Sequence, residues 1–442
     1  MTRDGGKNWS NVTPPDLGPL TRISLIEASP HQSAIAYVAA NRYQTADRGA
    51  YVYKTIDFGK TWTKVVKGIA PGDFARAIRE DPDRPGLLYL GTELGFYVSL
   101  DAGSRWQPFR LNLPATPVHD IAVEKNDLVI ATHGRGFYVL DDIGPLRQLH
   151  SEVTQSSAWL FKPADAMRTV RRAVIDYYLA SPASDLRIEV LDASGIVIRA
   201  FQSGDANQPA SAADDDEGPP PPTRTAPAKK GLNRLSWDMR AAPSHDFPGL
   251  IMYQASVTGP LVPPGRYKIR LTAASTTLTA DFRISRDPRL SATDADLIEQ
   301  FRFAREVQDK FNQTNDTVTR IRRIKSEIND RMKRANSGDV TSPGQKLMVE
   351  LTEIEGYLYQ YRNRAAKDPL NFPPQLNNKL GSLLAIVESA DSRPTDSSYV
   401  VYKQLAASVD RQLSELADLL GRDLTAFNKV LATAGLPTIT GI

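Results

Sequence analysis

The stretch SLDAGSRW, residues 99–106, combines a turn with a tryptophan that no turn requires. Related stretches occur twice more, TIDFGKTW at residues 55–62 and TRDGGKNW at residues 2–9. All three follow the pattern Ser/Thr-x-Asp-x-Gly-x-x-Trp. A turn that recurs with one spacing predicts a repeated β-hairpin, so the fold is expected to be built from repeats.

Each turn belongs to a longer repeat. Residues 87–106 and 127–146 both contain an apolar strand, a glycine-bearing turn, an aromatic strand and an Asp-x-Gly turn, and residues 34–62 repeat this order with a longer turn. The aspartates Asp4, Asp57, Asp101 and Asp142 are separated by 53, 44 and 41 residues. Repeats of roughly 40–50 residues with about four strands each are typical of β-propeller blades. The strand pattern excludes a helical solenoid.

The repeated turn has a physical explanation that needs no catalysis. A short aspartate side chain accepts hydrogen bonds from nearby backbone N–H groups, and glycine adopts positive φ without steric cost. The hydroxyl adds a second local hydrogen bond, and the tryptophan ring is expected to cover the hairpin and bury apolar area. The residues with this structural role are Thr2, Asp4, Gly6 and Trp9, then Thr55, Asp57, Gly59 and Trp62, then Ser99, Asp101, Gly103 and Trp106. A degenerate fourth turn keeps Asp142 and Gly144, with Leu140 and Arg147 in place of the hydroxyl and the tryptophan.

This pattern is similar to the Asp-box, or BNR repeat, of sialidases, some other glycoside hydrolases and sortilin-type propellers. The segments THGRGFYVLDD (132–142) and PPQLNNKLGSLLAIVESADSRPTDSSYVVYKQL (373–405) resemble bacterial sortilin-type "glycosyl hydrolase-like" proteins. The resemblance implies that the boxes lie at the periphery of a propeller, away from its ligand face. Because the chain begins inside a box, we expect these blades to be the last part of a longer propeller. Missing N-terminal blades, or another chain, would then cover the open blade edge.

Two turns carry candidate ligand-binding residues. Gly134 and Gly136 permit a tight turn with His133 and Arg135 at its tip, where they would contact a ligand carboxylate or sugar, or instead the backbone of a neighbouring blade. Glu93 lies in the equivalent turn of the preceding blade, as a ligand contact or as a solvated carboxylate. A glycosidase needs two carboxylates across the scissile bond. Asp73, Glu80, Glu93 and Asp120 are candidates by residue type only, so no catalytic residue is assigned.

The remainder of the chain changes character twice. DLRIEVLDASGIVIRAF (185–201) predicts a hairpin, and SWD with PPGRYKIRL resembles the immunoglobulin-like domain of flagellar hook-capping proteins. We expect a sandwich with Trp237 and Tyr267 in or near its core, interrupted by a low-complexity, disordered insert at residues 204–230. After Ser291, Thr293 is a candidate N-cap and apolar residues recur with helical spacing.

The predicted fold class is therefore mainly β followed by all-α. Residues 1–149 are the last blades of an Asp-box β-propeller, residues 150–289 an immunoglobulin-like β-sandwich, and residues 290–442 an antiparallel helical bundle with coiled-coil character.

Composition narrows the function classes. The chain has 442 residues with 54 basic and 51 acidic side chains, which gives no electrostatic case for nucleic acid. It contains no cysteine, no apolar run long enough to span a membrane and no signal peptide. Its five histidines lack metal-binding spacing, and no nucleotide motif occurs, so neither a metal nor a cofactor is predicted.

We expect a binding or scaffold protein that is exported or attached to the cell envelope and contacts a peptide or a glycan. The full-length protein would be secreted or periplasmic. The alternative is the C-terminal portion of a sialidase-like, BNR-repeat glycoside hydrolase whose catalytic blades are missing from this chain.

Overall fold

In a computed structural model the chain divides into two units, Met1–Ser151 and a second that begins at Glu152. The structure describes residues 1–170, 172–204, 225–335, 338–365 and 367–441. Antiparallel sheets that resemble propeller blades make up the first unit, and the second unit contains further sheets followed by a helical region. The domain boundaries at 149/150 and 289/290 stay predictions.

The first unit contains three antiparallel meanders, in which consecutive strands pair. Sheet A consists of β1 (Arg22–Ala28), β2 (Ala36–Arg42), β3 (Asp47–Thr55) and β4 (Thr63–Lys64). Sheet B consists of β5 (Ala75–Glu80), β6 (Leu88–Thr92), β7 (Phe96–Ser99) and β8 (Gln107–Pro108). Sheet C consists of β9 (Val118–Glu124), β10 (Asp127–Thr132) and β11 (Phe137–Leu140).

The sheets stack in chain order through apolar faces, because successive side chains of a strand point to opposite sides. One apolar cluster joins Tyr37 and Val52 of sheet A to Ile78 and Leu90 of sheet B. A second cluster joins sheet B to sheet C. Each sheet thus has a front face, directed toward the sheet that follows it in sequence, and a back face on the other side.

The three repeated turns share one hydrogen-bond pattern. In the third, the Ser99 hydroxyl donates to Oδ1 of Asp101 at 2.7 Å and accepts from the Gly103 N–H at 2.9 Å. The same Oδ1 accepts from the Arg105 N–H at 2.9 Å. Gly103 has a φ of 88°, which explains why glycine is favoured at this position of the pattern. Ala102 before it also has a positive φ, of 57°. Equivalent bonds form around Asp4 and Asp57. Hydrogen bonds from the backbone and side chain of Asn8 lower the pKa of Asp4 to about 2, and those from the side chain and backbone of Thr61 do the same for Asp57.

The box tryptophans connect neighbouring repeats. The Trp106 indole N–H donates to the Val65 carbonyl at 2.8 Å, and that of Trp62 donates to the Val12 carbonyl at 2.6 Å. Each acceptor lies three residues after the preceding box tryptophan. Trp106 is 1% exposed, whereas Trp9 is 72% exposed and its N–H donates to Gly6 of its own turn. The expectation that every box tryptophan buries a large area is therefore wrong for Trp9, because no equivalent preceding segment lies against it in the described part of the chain.

The fourth turn does not form the box. Asp142 itself has a φ of 58° and accepts from the Gly144 N–H, and the chain then enters helix α1 (Gly144–Gln148). The hydroxyl-centred pattern of the three boxes is absent here because Leu140 offers no hydroxyl, and a structural role for Asp142 and Gly144 stays a prediction. Arg147, in the tryptophan position, pairs with the buried carboxylate of Asp81 at 3.0 Å.

Helix α2 (Ser151–Gln155) lies at the boundary between the units, and the second unit continues with two sheets. Sheet D has the order β12 (Ala158–Leu160), β14 (Ala173–Leu179), β18 (Gly231–Trp237). Sheet E has the order β13 (Ala166–Met167), β20 (Thr276–Ser285), β19 (Gly265–Ala273), β15 (Arg187–Leu191), β16 (Val197–Ser203), β17 (Thr225–Ala226).

One apolar core lies between these two sheets. Trp237 and Tyr267 are both buried in it with their rings edge to face, as expected. Residues 205–224 of the predicted disordered insert lie outside the described residues. At its C-terminal end the prediction is wrong, because Thr225–Ala226 pair with β16 and Ala226 is fully buried.

The helical region packs around two apolar clusters. Its main helices are α3 (Asp294–Ala335), α4 (Gly338–Leu358), α5 (Leu376–Val387), α6 (Asp396–Leu419) and α7 (Thr425–Thr433). Thr293 exchanges hydrogen bonds with Asp296, as a capping residue does at a helix start. Buried Arg168 joins the sheets to α3, because it donates to the Val262 carbonyl and to Gln300. Within the described ranges no helix combines the length and apolar character needed to cross a membrane.

Candidate functional site

The first strand of each sheet in the first unit carries a β-bulge near its beginning. The bulged residues are Ser24 in β1, Arg76 in β5 and His119 in β9, where the pairing with the second strand skips one residue. A bulge bends its strand and redirects a side chain, and bulges are frequent next to functional sites. The three first strands lie next to one another, so the bulges form a row along neighbouring sheets.

Each bulged residue contacts the side chain at the end of the second strand. Asn41 donates to the Ser24 hydroxyl at 2.7 Å. Arg76 forms an ion pair of 2.6 Å with Glu93. The rings of His119 and His133 stack with centroids 5.2 Å apart. We call these contacts the bulge pairs: Ser24–Asn41, Arg76–Glu93 and His119–His133.

Aromatic rings and a further arginine surround the central pair. Tyr43 and Phe74 stack with centroids 5.1 Å apart, and the Arg76 guanidinium lies over both rings at 5.1 and 4.9 Å. The exposed Arg48 lies over Phe74 at 5.5 Å. Such cation–π contacts hold a guanidinium plane in position while leaving N–H donors available.

The charges of the Arg76–Glu93 pair affect the pKa of His119 in the neighbouring pair. Burial, followed by the positive charge of Arg76 and the proximity of His133, lowers the pKa of His119 below its ordinary value of 6.5, and Glu93 opposes this shift. His119 is therefore mainly neutral at pH 7 and able both to donate and to accept a hydrogen bond.

The predicted ligand-binding residues are partly brought together. Glu93 and His133 occupy equivalent positions in adjacent sheets, beside the Arg76 and His119 bulges. Arg135 is exposed at the tip of its turn, and no hydrogen bond or ion pair joins its side chain to another described residue.

The other carboxylates named as candidates have local partners. Asp73 accepts from the Leu94 N–H and from the Tyr97 hydroxyl, and thereby holds the turn that carries Glu93. Glu80 accepts from the Gly86 N–H at the other end of β5, and Asp120 pairs with Arg79. Among the described residues no cluster of His, Asp and Glu suits a metal ion.

The sequence interpretation missed Arg76, Tyr43, Phe74 and His119. A signal for this region was present, because AYVAAN (36–41), LYLGTE (88–93) and LVIATH (128–133) align and end in Asn41, Glu93 and His133. The bulges themselves leave no such signal, since a bulge depends on the pairing between two strands.

Comparisons with known proteins give a distant structural likeness and no family. No family model matches the chain, and no curated protein matches it in sequence. The chain is distantly similar in structure to β-propeller proteins.

Three solved structures illustrate this likeness. A GH74 enzyme of Niastella koreensis has a TM-score of 0.23 and 11% identity, over 59% of this chain and 46% of that one. YCF48 bound to D1 peptide has a TM-score of 0.18 and 13% identity, over 38% and 63%. The extracellular domain of the putative hybrid two-component system BT4673 from B. thetaiotaomicron has a TM-score of 0.19 and 8% identity, over 58% and 30%. The chain thus spans less than two thirds of each of these proteins, and scores this low carry no argument about ligand or activity.

Proposed function

We propose that the chain is a binding or scaffold part of an exported or envelope-associated protein, and that its first unit recognises a peptide or a glycan at the bulge pairs. The supporting observation is a contrast between two repeated features. The Asp-boxes repeat both geometry and residue type, as a structural element does. The bulge pairs repeat the geometry but change the chemistry, from Ser–Asn to Arg–Glu to His–His. A rigid frame with variable polar groups is how binding sites are commonly built.

The groups in this row favour a ligand with a carboxylate and a flat or apolar portion. Glu93 engages only part of the Arg76 guanidinium, which carries five N–H donors in a planar fork suited to carboxylates. Arg48 adds a second, exposed positive charge, and the stacked rings of His119 and His133 add nitrogens that can form hydrogen bonds. Sugars and aromatic peptide side chains both offer the flat or apolar portion.

For the architecture we propose the modules expected from the sequence. The boxes and stacked meanders support Asp-box propeller blades. In the second unit, β14 and β18 take the places of immunoglobulin strands B and E, and β20, β19, β15 and β16 those of G, F, C and C′. The short connection between α3 and α4, which pack together, supports an antiparallel bundle.

We propose no catalytic role for this chain. Asp73 and Glu80 hold turns, while Glu93 and Asp120 form ion pairs with arginines. The glycoside hydrolase alternative would therefore depend on carboxylates supplied from elsewhere in a longer protein.

The test is a binding screen with the complete chain against immobilised peptides and against neutral and carboxylated oligosaccharides. Arg76→Ala and His133→Ala should each weaken binding of the ligand found. His133 is exposed, so His133→Ala should do so without a change in melting temperature. Arg105→Ala, at an exposed arginine of the third box, is the matched control and should bind normally. Binding that is insensitive to both site variants, or equally sensitive to the control, would disprove the assignment.

A further inference from the structure

The outer face of sheet E, on the side away from the apolar core of the second unit, carries a row of positive charges. Successive side chains of a strand alternate between its two faces, so Arg266, Lys268 and Arg270 of β19 all lie on the outer face. Steps of two residues place them about 7 Å apart along the strand. Arg187 of β15 is aligned with Thr272, the next outward residue of β19, and it continues the row.

The carboxylates on this face are already paired with one part of the row. Glu189 accepts hydrogen bonds from Arg187 and Arg270, at 2.9 and 2.6 Å. Asp281 forms a longer ion pair of 3.8 Å with Lys268. The middle and one end of the row are therefore partly neutralised within sheet E.

Two arginines lie directly opposite each other at the other end of the row. Arg266 of β19 is aligned with Arg283 of β20 on the same face, and both side chains are exposed. Within the described part of the chain neither side chain forms an ion pair or a hydrogen bond, and the nearby Asp165 accepts from the backbone N–H of Arg283 instead. Like charges directly opposite each other destabilise a sheet. An anion bound between the two guanidinium groups would remove this repulsion.

The other side chains of this face favour one kind of anion. Thr272, Thr277 and Thr279 lie beside the row, and their hydroxyl groups can both donate and accept hydrogen bonds. The aromatic residues of β19 and β20, Tyr267 and Phe282, lie in the core instead. Single-stranded nucleic acids bind through aromatic side chains on which their bases stack, and β19 and β20 present none on this face. Acidic polysaccharides combine negative charges with many hydroxyl groups, which matches the arginines and threonines.

We infer that the outer face of sheet E binds acidic polysaccharides along β19, with a carboxylate or sulfate group held between Arg266 and Arg283. The guanidinium group suits this role because its N–H donors form a planar fork that makes paired hydrogen bonds to oxyanions. Further acidic groups of the same polymer would reach Lys268, so several weak contacts add up along the strand. This surface belongs to the second unit, so the inference does not depend on the function proposed for the bulge pairs of the first unit.

The test is isothermal titration calorimetry of the complete chain with heparin, which is sulfated, with polygalacturonate, which is carboxylated, and with neutral dextran. At least one of the acidic polymers should bind, dextran should not, and added salt should weaken the binding because it screens exposed charges. The stronger of the two acidic polymers identifies the preferred acidic group.

The double variant Arg266→Gln/Arg283→Gln should bind about 10- to 30-fold more weakly, because it removes two cations from an anion-binding surface. Its melting temperature should stay unchanged or rise slightly, because the substitutions also remove the repulsion between opposite arginines. The matched control is Arg323→Gln/Arg411→Gln, which makes the same change in charge at exposed arginines of α3 and α6 and should bind normally.

Four results would overturn the inference. They are no binding of either acidic polymer, equal binding of dextran, an equal loss of affinity in the control variant, and equal or tighter binding of a single-stranded oligonucleotide or of phosphatidylglycerol vesicles at the same two arginines. The last result would assign the surface to nucleic acid or to lipid.

Discussion

Replacement of Trp106 by alanine should destabilise the first unit far more than the same change at Trp9. Trp106 is buried between sheets A and B, and its indole N–H is bonded to the Val65 carbonyl at 2.8 Å. Truncation of a buried tryptophan costs about 3–5 kcal/mol in free energy of unfolding. Trp9 is largely exposed and bonds within its own turn, so Trp9→Ala should stay within ~0.5 kcal/mol of the unmodified chain.

Trp106→Phe separates the two contributions. Phenylalanine keeps an aromatic ring but cannot donate to Val65, and loss of that bond removes about 0.5–1.5 kcal/mol in addition to the smaller apolar area. We therefore expect an order of stability in which the Trp9 variant is highest, Trp106→Phe intermediate and Trp106→Ala lowest.

The assay is urea unfolding of the complete chain at low protein concentration. Because the chain has two compact units, their transitions need not coincide. Hydrogen exchange measured by mass spectrometry on peptides of β5 to β8 then shows whether stability is lost in the first unit. Equal effects at Trp9 and Trp106, or exchange that increases only in the second unit, would refute the structural role of the box tryptophans.

Three further predictions concern charged groups. Arg147→Met should lower the free energy of unfolding, measured in urea, by about 3–5 kcal/mol, because it removes the arginine paired with the buried Asp81 carboxylate. Adding Asp81→Asn to this variant should recover part of the lost stability. Effects of the two substitutions that simply add would contradict the pairing. Because the pKa of His119 is lowered in the folded chain, protonation favours unfolding, so stability should fall as pH drops below about 6.5. His119→Gln should reduce this acid sensitivity in pH-dependent melting, and an unchanged profile would contradict the shift. The purified chain should not hydrolyse aryl glycosides or sialosides, and turnover abolished by Glu93→Gln would make it an enzyme.

The sequence predicted the repeated sheets well because their determinants are local. Within the eight residues of a box, Ser99, Asp101 and Gly103 satisfy one another's hydrogen bonds. Such short-range chemistry can be read directly from spacing. The same reasoning placed Thr293 at a helix start, where a hydroxyl and a carboxylate three residues apart cap each other.

What the sequence could not predict depends on contacts between distant residues. Trp9 matches the pattern as well as Trp106 does, but burial is decided by the neighbouring segment and not by the motif. In the sequence, Arg147 only replaces the tryptophan of a degenerate box, because its partner Asp81 lies 66 residues away. Arg76 and His119 were missed for the same reason, because strand register selects which residue bulges.

The box tryptophans also determine where the protein can change in length. Trp62 and Trp106 each fix their repeat to the preceding segment at the end of the third strand. The turns between the second and third strands lie at the opposite end of the sheet and differ in sequence. New sequence inserted between β2 and β3, or between β6 and β7, would therefore leave the tryptophan contacts in place. These turns are the natural positions for grafting foreign binding loops, and the same arrangement would let related proteins acquire new ligands without rebuilding the sheets beneath.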